Sequence, residues 1–200
     1  MQEGIAANPK SYALHLRLGA AHLAAGQYKE AENAFRTLVD ADDPLPTSYV
    51  GLAQVLLREG RAEDATTVLS AAKQKIGENF LLSYFLGLSF DRSGKRMEAR
   101  AAFKDAVRLD PKNAEAHLGL GKTELALGHL NDAIGELEEA LRLNPGNPQA
   151  RRLLSQAYRR AGDTARAAKY AEAADEKQPI PEGDLLGDFL LPEWQTPSED

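Results

Sequence analysis

The sequence predicts an all-α fold, a right-handed α-solenoid of about five helix-turn-helix repeats of 34 residues, followed by an acidic and apolar C-terminal segment. Three landmarks with the same period predict it: a glycine, an alanine five residues after it and a leucine eight residues before it. The glycines are Gly26, Gly60, Gly94, Gly128 and Gly162, the alanines are Ala31, Ala65, Ala99, Ala133 and Ala167, and the leucines are Leu18, Leu52, Leu86, Leu120 and Leu154. A fixed period of this length is typical of proteins that stack one supersecondary unit.

Each repeat is expected to hold two amphipathic helices of about 13 or 14 residues, because apolar residues return every three or four positions. In the third repeat these residues are Ala99, Ala102, Phe103, Ala106 and Val107. The landmark glycine is expected to end the first helix in the left-handed backbone conformation. The strings LDPKN and LNPGN are expected to end the second helix, since Pro111 and Pro145 cannot continue an incoming helix.

Glycines also stand inside the predicted first helices, at Gly19, Gly87 and Gly121. A glycine in a helix interior costs about 1 kcal/mol relative to alanine. We therefore expect these three positions to let neighbouring helices approach closely.

The repeat resembles the tetratricopeptide repeat, whose pattern is Trp-x2-Leu-Gly-x2-Tyr, then Ala-x3-Phe, then Pro. The third repeat carries it as Phe90, Ala99, Phe103, Ala106 and Pro111, and the fifth as Leu154, Tyr158, Ala167, Ala174 and Pro179. The resemblance covers about residues 9–179 and implies a helical array that binds proteins or peptides. The predicted boundaries are the end of a preceding half-repeat at 1–9, a solenoid at 10–178 with repeats at about 12–45, 46–79, 80–113, 114–147 and 148–178, and an acidic tail at 179–200.

One residue departs sharply from the family pattern. Glu124 stands in the aromatic position of the fourth repeat. A charge at a crowded helix contact needs a partner or a route to solvent, and the sequence alone identifies neither.

The net charge of -6 belongs to the tail. Residues 179–200 hold six of the 30 acidic residues and no Lys or Arg, so the remaining 24 acids balance the 24 bases. A neutral body argues against nucleic acid as the main ligand, because phosphate binding requires a basic excess. No apolar run approaches the roughly 18 residues of a membrane span, so membrane insertion is not expected. The cytoplasm is the default location, and the cell envelope stays open as the alternative if the chain is part of a longer protein.

No group of residues indicates catalysis, a cofactor or a metal, and the chain is therefore predicted not to be an enzyme. There is no cysteine, which excludes thiol nucleophiles and sulfur-ligated metal sites. The four histidines, His15, His22, His117 and His129, are expected to be structural, because three of them stand at recurring packing positions of the repeat.

The first helix of each repeat is expected to line the concave side of the solenoid, where such arrays bind their ligands. The candidate peptide-binding residues on this groove are Val50, Gln54, Leu57, Arg58, Tyr84, Leu88, Arg92, Leu118, Lys122, Arg152, Gln156 and Arg159. They change from apolar to basic along the array. The expected ligand is an extended or helical peptide with large apolar side chains interrupted by carboxylates.

The tail carries its own apolar residues at helical spacing, Leu185, Leu186, Phe189, Leu190 and Trp194. Three hypotheses remain open for it: a short capping helix over 183–191, docking in the groove of the same or another molecule, or a motif for a different protein. The function of the chain has alternatives as well. The main hypothesis is an interaction scaffold for a protein or peptide, and the alternatives are homo-oligomer assembly through exchange of the tail or end repeats, and the recruiting arm of a larger enzyme.

Overall fold

The structure, a computed structural model, describes residues 9–41 and 44–175 of the 200-residue chain. Ten α-helices lie in this part of the chain. They are α1 (Pro9–Ala24), α2 (Tyr28–Asp40), α3 (Pro46–Arg58), α4 (Ala62–Ile76), α5 (Phe80–Arg92), α6 (Arg96–Leu109), α7 (Ala114–Leu127), α8 (Leu130–Leu143), α9 (Pro148–Arg160) and α10 (Thr164–Asp175). None of these helices is both long and apolar enough to cross a bilayer.

The helices form two layers. Each helix packs against the next one along the chain, and the odd-numbered helices also contact one another in the order α1, α3, α5, α7 and α9. The first helices of successive units therefore lie side by side, and the second helices form the other layer. This arrangement confirms the predicted right-handed all-α solenoid.

Glycine and asparagine delimit the helices. The five landmark glycines all have positive φ, from 70° to 86°, which confirms their predicted conformation in the turn between the two helices of a unit. At the start of later units, the side chains of Asn79, Asn113 and Asn147 accept hydrogen bonds from backbone N–H groups of the first turn of α5, α7 and α9. These caps satisfy N–H groups that have no partner within the helix.

Aromatic rings fill the space that helix-interior glycines leave. A Cβ atom at Gly19 would lie 2.8 Å from Cζ of Phe35, and one at Gly87 would lie 2.6 Å from Cδ1 of Phe103. Phe103 also touches Gly119 of the next unit, where a Cβ would lie 2.6 Å from its ring. The prediction of close helix approach is confirmed, and each of these rings joins two consecutive units.

The core runs along the array as two clusters of buried residues. The first extends from Leu23 to Leu120, and the second from Leu118 to Ala167. The boundary falls within α7 of the fourth unit. This serial arrangement is expected for an array whose units contact only their neighbours.

The N-terminal end differs from the other units. Leu18 is 42% exposed, whereas the equivalent leucines of the other four units are at most 5% exposed. Pro9, which the sequence analysis assigned to a preceding half-repeat, is the first residue of α1, since proline is tolerated in the first turn of a helix. Residues 1–8, the predicted helix over 183–191 and the apolar residues of the tail lie outside the described residues.

Candidate functional site

The candidate groove residues lie on the first helices of the second to fifth units. We call the face that they share the inner wall. Its members are Val50, Gln54, Leu57 and Arg58 on α3, Tyr84, Leu88 and Arg92 on α5, Leu118 and Lys122 on α7, and Arg152, Gln156 and Arg159 on α9. Because these four helices contact one another in order, the wall is continuous.

Five members of the inner wall are covered, and the prediction of an open groove needs correction at these positions. Val50, Gln54, Leu57, Tyr84 and Leu118 are between 1% and 6% exposed. The ring of Tyr84 explains part of this burial, since it stacks on one phenylalanine of its own helix and meets two further phenylalanine rings edge-on. Burial also raises the pKa of its hydroxyl, so Tyr84 stays neutral.

The polar and charged members of the wall reach solvent. Arg58, Arg92, Lys122, Arg152, Gln156 and Arg159 are exposed, and Leu88 is partly buried. Lys122 Nζ lies 2.6 Å from Asp91 Oδ2, so this cation is neutralised by its neighbour. The exposed arginines of the wall are then two on α9, Arg152 and Arg159, and one each on α3 and α5.

Two arginines of the first helices bind the preceding unit. Nη1 of Arg92 donates to the carbonyl oxygen of Leu57 at 3.3 Å, and Nη1 of Arg160 donates to that of Leu125 at 2.7 Å. The two donors stand 68 residues apart, at the same repeat position, and so do their acceptors. Arg92 thus has a structural role that was not predicted, and Arg160, absent from the candidate set, shares it. Both arginines could have been identified by aligning the repeats and comparing them with the backbone carbonyl groups at the helix ends.

Glu124 is buried within a group of cations. Its carboxylate is 1% exposed; Oε1 accepts a hydrogen bond from Arg100 Nε at 2.6 Å, Oε2 lies 2.6 Å from His129 Nδ1, and Lys104 Nζ is 3.8 Å away. Burial raises the pKa of Glu124, but the hydrogen bonds from Arg100 and His129 outweigh burial and leave that pKa below its usual value of 4.5. The partner that the sequence could not identify is therefore Arg100, from the preceding unit.

The same group contains three potential metal ligands, Glu124, His129 and Asp132, whose ligand atoms lie within 4.8 Å of one another. The guanidinium of Arg100 already stands between the two carboxylates, since its Nη2 is 3.9 Å from Asp132 Oδ2. A metal ion would have to displace this cation, and the group is better described as an ion-pair network.

Two further histidines have structural partners. His117 lies with Nδ1 2.7 Å from Glu136 Oε2 and with Nε2 3.0 Å from the carbonyl oxygen of Pro111. His22 Nδ1 lies 2.6 Å from Gln27 Oε1. These contacts hold helix ends and turns in place.

A cleft lies at the junction of the fourth and fifth units and is lined by residues of α8, α9 and the start of α10. Tyr158 lines it, stacks on Tyr170 and lies under the guanidinium of Arg166 at 4.4 Å from the ring centroid. Burial and the carboxylate of Glu138 raise the pKa of Tyr158 to about 12. Its lining includes the polar residues Asn131, Asp163, Thr164 and Arg166.

A family model described as "Tetratricopeptide repeat" matches residues 1–46, 16–79, 84–130 and 118–179. The TPR repeat-containing protein YpiA of Bacillus subtilis (strain 168) is 29% identical over 150 residues, which are 75% of this chain and 35% of YpiA. Cellulose synthase 2 operon protein C of Komagataeibacter xylinus is 30% identical over 140 residues, 69% of this chain and 9% of that protein. The chain thus spans about a third of the first relative and about a tenth of the second.

Solved structures of MamA share the fold. The crystal structure of MamA protein superimposes with a TM-score of 0.71 at 22% identity, covering 84% of this chain and 91% of that one. The structure titled MamA 41-end from Desulfovibrio magneticus RS-1 gives a TM-score of 0.73 at 19% identity, covering 82% of this chain and 93% of that one. At this level of identity the similarity is one of fold.

Proposed function

The chain belongs to the tetratricopeptide repeat family, whose members are scaffolds for protein–protein interaction, and we propose that it holds an apolar and acidic segment of a partner protein on its inner wall. The proposed role is non-catalytic. The partner is a protein or peptide, because the charge-balanced body offers no basic field for nucleic acid.

The observation that carries this proposal is the exposed basic end of the wall. Arg152 and Arg159 project from α9 on the face that continues the covered apolar part of the wall, and within the described residues neither is paired with a carboxylate. A guanidinium in this state can form two parallel hydrogen bonds to a carboxylate. Gln156, which stands between them, adds an amide that can bind a peptide backbone.

Leu88, the partly exposed leucine of the wall, would supply apolar contact, and the arginines would supply orientation. Leu88 remains partly exposed on α5, between the covered surface of α3 and the basic surface of α9. A ligand that follows the wall would therefore place an apolar side chain against Leu88 on α5 and its carboxylates at α9. This order of groups is the specificity that the proposal predicts.

The test is a selection of peptides from a random display library on the full chain and on the Arg152→Glu, Arg159→Glu variant. The full chain should enrich peptides with large apolar residues followed by acidic ones, and the variant should lose them. Arg142→Glu is the matched control, because Arg142 is an exposed cation on α8, in the outer layer. Enrichment that is the same for all three proteins would contradict the proposal.

Self-assembly is a second candidate function, favoured by one observation. Leu14 and Leu18 on α1 are 55% and 42% exposed, so the first unit presents apolar surface at the end of the array. Such a surface buries apolar area when two molecules meet. Sedimentation of the full chain and of a Leu14→Lys, Leu18→Lys variant tests self-assembly. If molecules assemble through this end, the variant should sediment as a smaller species than the unmodified chain.

A further inference from the structure

Glu115 lies on the same face of α7 as the inner-wall residues Leu118 and Lys122, which follow it by three and seven positions. Towards α5, its carboxylate is the second cause, after burial, of the raised pKa of Tyr84. Towards α9, its Oε1 accepts a hydrogen bond from Nδ2 of Asn147 at 3.2 Å. Glu115 therefore stands in the middle of the inner wall, between α5 and α9.

Glu115 is partly buried and has no cation beside it. Among the described residues Asn147 is its one hydrogen-bond partner, and no Lys, Arg or His forms an ion pair with it. Lys122, two turns further along the same face, is already paired with Asp91 at 2.6 Å. Burial raises the pKa of Glu115, and the hydrogen bond from Asn147 opposes burial only in part. The wall thus holds a negative charge that the described residues do not neutralise.

The second carboxylate buried on α7 has a different environment. Glu124 is surrounded by Arg100, His129 and Lys104, so the fold itself provides its counter-charges. A charged group that is removed from water without a partner is costly. Of these two carboxylates on one helix, the one that lacks a counter-charge is the one on the inner wall.

Repeat symmetry does not require a carboxylate at this position. The equivalent residues of the other four units carry no charge; they are Ala13, Thr47, Leu81 and Gln149. The contact with Asn147 is not required for helix capping either. Oδ1 of Asn113 caps α7 as Oδ1 of Asn147 caps α9, although the residue equivalent to Glu115 is then a leucine. Neither the repeat pattern nor the cap accounts for a charge at Glu115.

A cationic group of a ligand would supply the missing counter-charge. An ammonium or guanidinium group that donates to a carboxylate forms a charge-assisted hydrogen bond, about twice as strong as a neutral one. The acidic tail at 179–200 contains no Lys or Arg and so has no such side chain. We infer that Glu115 binds a Lys or Arg side chain of the partner segment and is a specificity-determining residue of the inner wall. This inference rests on the proposed function, since it assigns a further subsite of the same wall.

The position of Glu115 predicts where the cation stands in the ligand. Along the array Glu115 lies between Leu88 on α5 and Arg152 on α9. Adjacent first helices are about 8–10 Å apart, and Arg152 stands three positions later in its repeat, which adds about 4.5 Å along the helix axis. An extended peptide covers the resulting distance of about 10 Å in about three residues. The expected order in the ligand is apolar, basic, acidic, with the basic residue about three positions from the acidic one.

The first test is a selection from a random display library on the full chain and on Glu115→Gln, which removes the charge but keeps an acceptor for Asn147. The full chain should enrich peptides with Lys or Arg between the apolar and the acidic residues. Glu115→Gln should keep the apolar and acidic residues and lose the basic one. Glu98→Gln is the matched control and should keep the complete pattern, because Glu98 is an exposed carboxylate in the first turn of α6, in the outer layer.

The second test measures the coupling between the two charges. One enriched peptide is synthesised with a blocked amino terminus, so that its basic side chain is its cation. Replacing that basic residue with Met should weaken binding to the full chain about tenfold or more. The same replacement should change binding to Glu115→Gln by about twofold or less, because the partner of the cation is already absent. An equal loss with both proteins would overturn the inference.

A purely structural role for Glu115 would be visible without any ligand. Because its carboxylate lacks a counter-charge in the free protein, Glu115→Gln should melt at pH 7 at the same temperature as the full chain or at a higher one. Circular dichroism measures this. A variant that melts several degrees lower would show that the contact with Asn147 holds the fourth and fifth units together, and it would overturn the assignment of Glu115 to ligand binding.

The same selections distinguish failure of this inference from failure of the proposed function. Peptides that require Arg152 and Arg159, but whose basic residues do not depend on Glu115, would refute the inference and leave the wall as a peptide site. A full chain that enriches no peptide would refute the proposed function and this inference together.

Discussion

Arg100 on α6 donates a 2.6 Å hydrogen bond to the buried carboxylate of Glu124 on α7, and this contact links the third unit to the fourth. Glu124 stands where the family pattern has an aromatic residue, so an ion pair replaces a ring at this junction. A buried pair adds little stability over an apolar contact, but loss of one partner leaves an uncompensated charge. The junction is therefore sensitive to the loss of either residue alone.

Arg100→Met should lower the melting temperature by several degrees, because Glu124 then retains only His129 and the more distant Lys104. The double variant Arg100→Met, Glu124→Tyr should recover most of the loss, since it restores the family's aromatic contact. Calorimetry of both variants measures this. Lys104→Met is the control and should have a small effect; a double variant as unstable as Arg100→Met would contradict this account of the junction.

The carboxylate of Glu124 should also make stability depend on pH. Its pKa in the folded chain lies below the usual 4.5, so its contribution is complete above pH 4.5 and is lost as the pH falls through the folded-state pKa. Glu124→Gln mimics the protonated form. The difference in melting temperature between the unmodified chain and this variant should be largest near pH 7 and should vanish in acid. A difference that stays constant below pH 4.5 would show that Glu124 is not the titrating group.

Periodicity was sufficient to predict the part of this fold that repeats. The landmark glycines, the helix pairs and the close approach at Gly19, Gly87 and Gly121 all follow from one 34-residue pattern, because equivalent positions meet equivalent neighbours. The same reasoning could not identify Arg100 as the partner of Glu124, since that ion pair occurs at one junction.

The covered part of the wall was not predictable for a related reason. Repeat symmetry assigns Gln54 and Gln156 the same environment, whereas the structure buries the first and exposes the second. Their neighbours differ, since α3 lies between α1 and α5, whereas α9 contacts only α7 among the described first helices. The sequence could indicate the change from apolar to basic residues along the wall, but it could not indicate which wall residues are buried.

Gly87→Ala should destabilise the chain by about 1–3 kcal/mol, because its Cβ would lie 2.6 Å from Cδ1 of Phe103 in a packed core. Gly135→Ala in α8 is the matched control, since a Cβ there meets nothing within 4 Å. The control should stabilise the chain by about 0.5–1 kcal/mol through helix propensity. Urea unfolding measures both, and the same sign for both substitutions would contradict the close-approach account.

Leu52→Ala should destabilise the chain by about 2–5 kcal/mol, whereas Leu18→Ala should have a much smaller effect. The two leucines occupy the same repeat position, but Leu52 is 1% exposed and Leu18 is 42% exposed. Equilibrium unfolding in urea compares them directly. Equal losses would mean that Leu18 is covered in solution, as the assembly of two molecules through α1 requires.

The division of the core within α7 sets the order in which the array would come apart under load. Leu118 and Leu120 stand two residues apart but belong to different clusters, and the C-terminal cluster contains fewer buried residues. Because the C-terminal cluster includes α8, α9 and α10, a chain stretched from its C-terminus is expected to lose these helices together, with Arg152 and Arg159, while α3 stays folded. Tension on the C-terminus would thus unfold the basic end of the inner wall before it unfolded the apolar end.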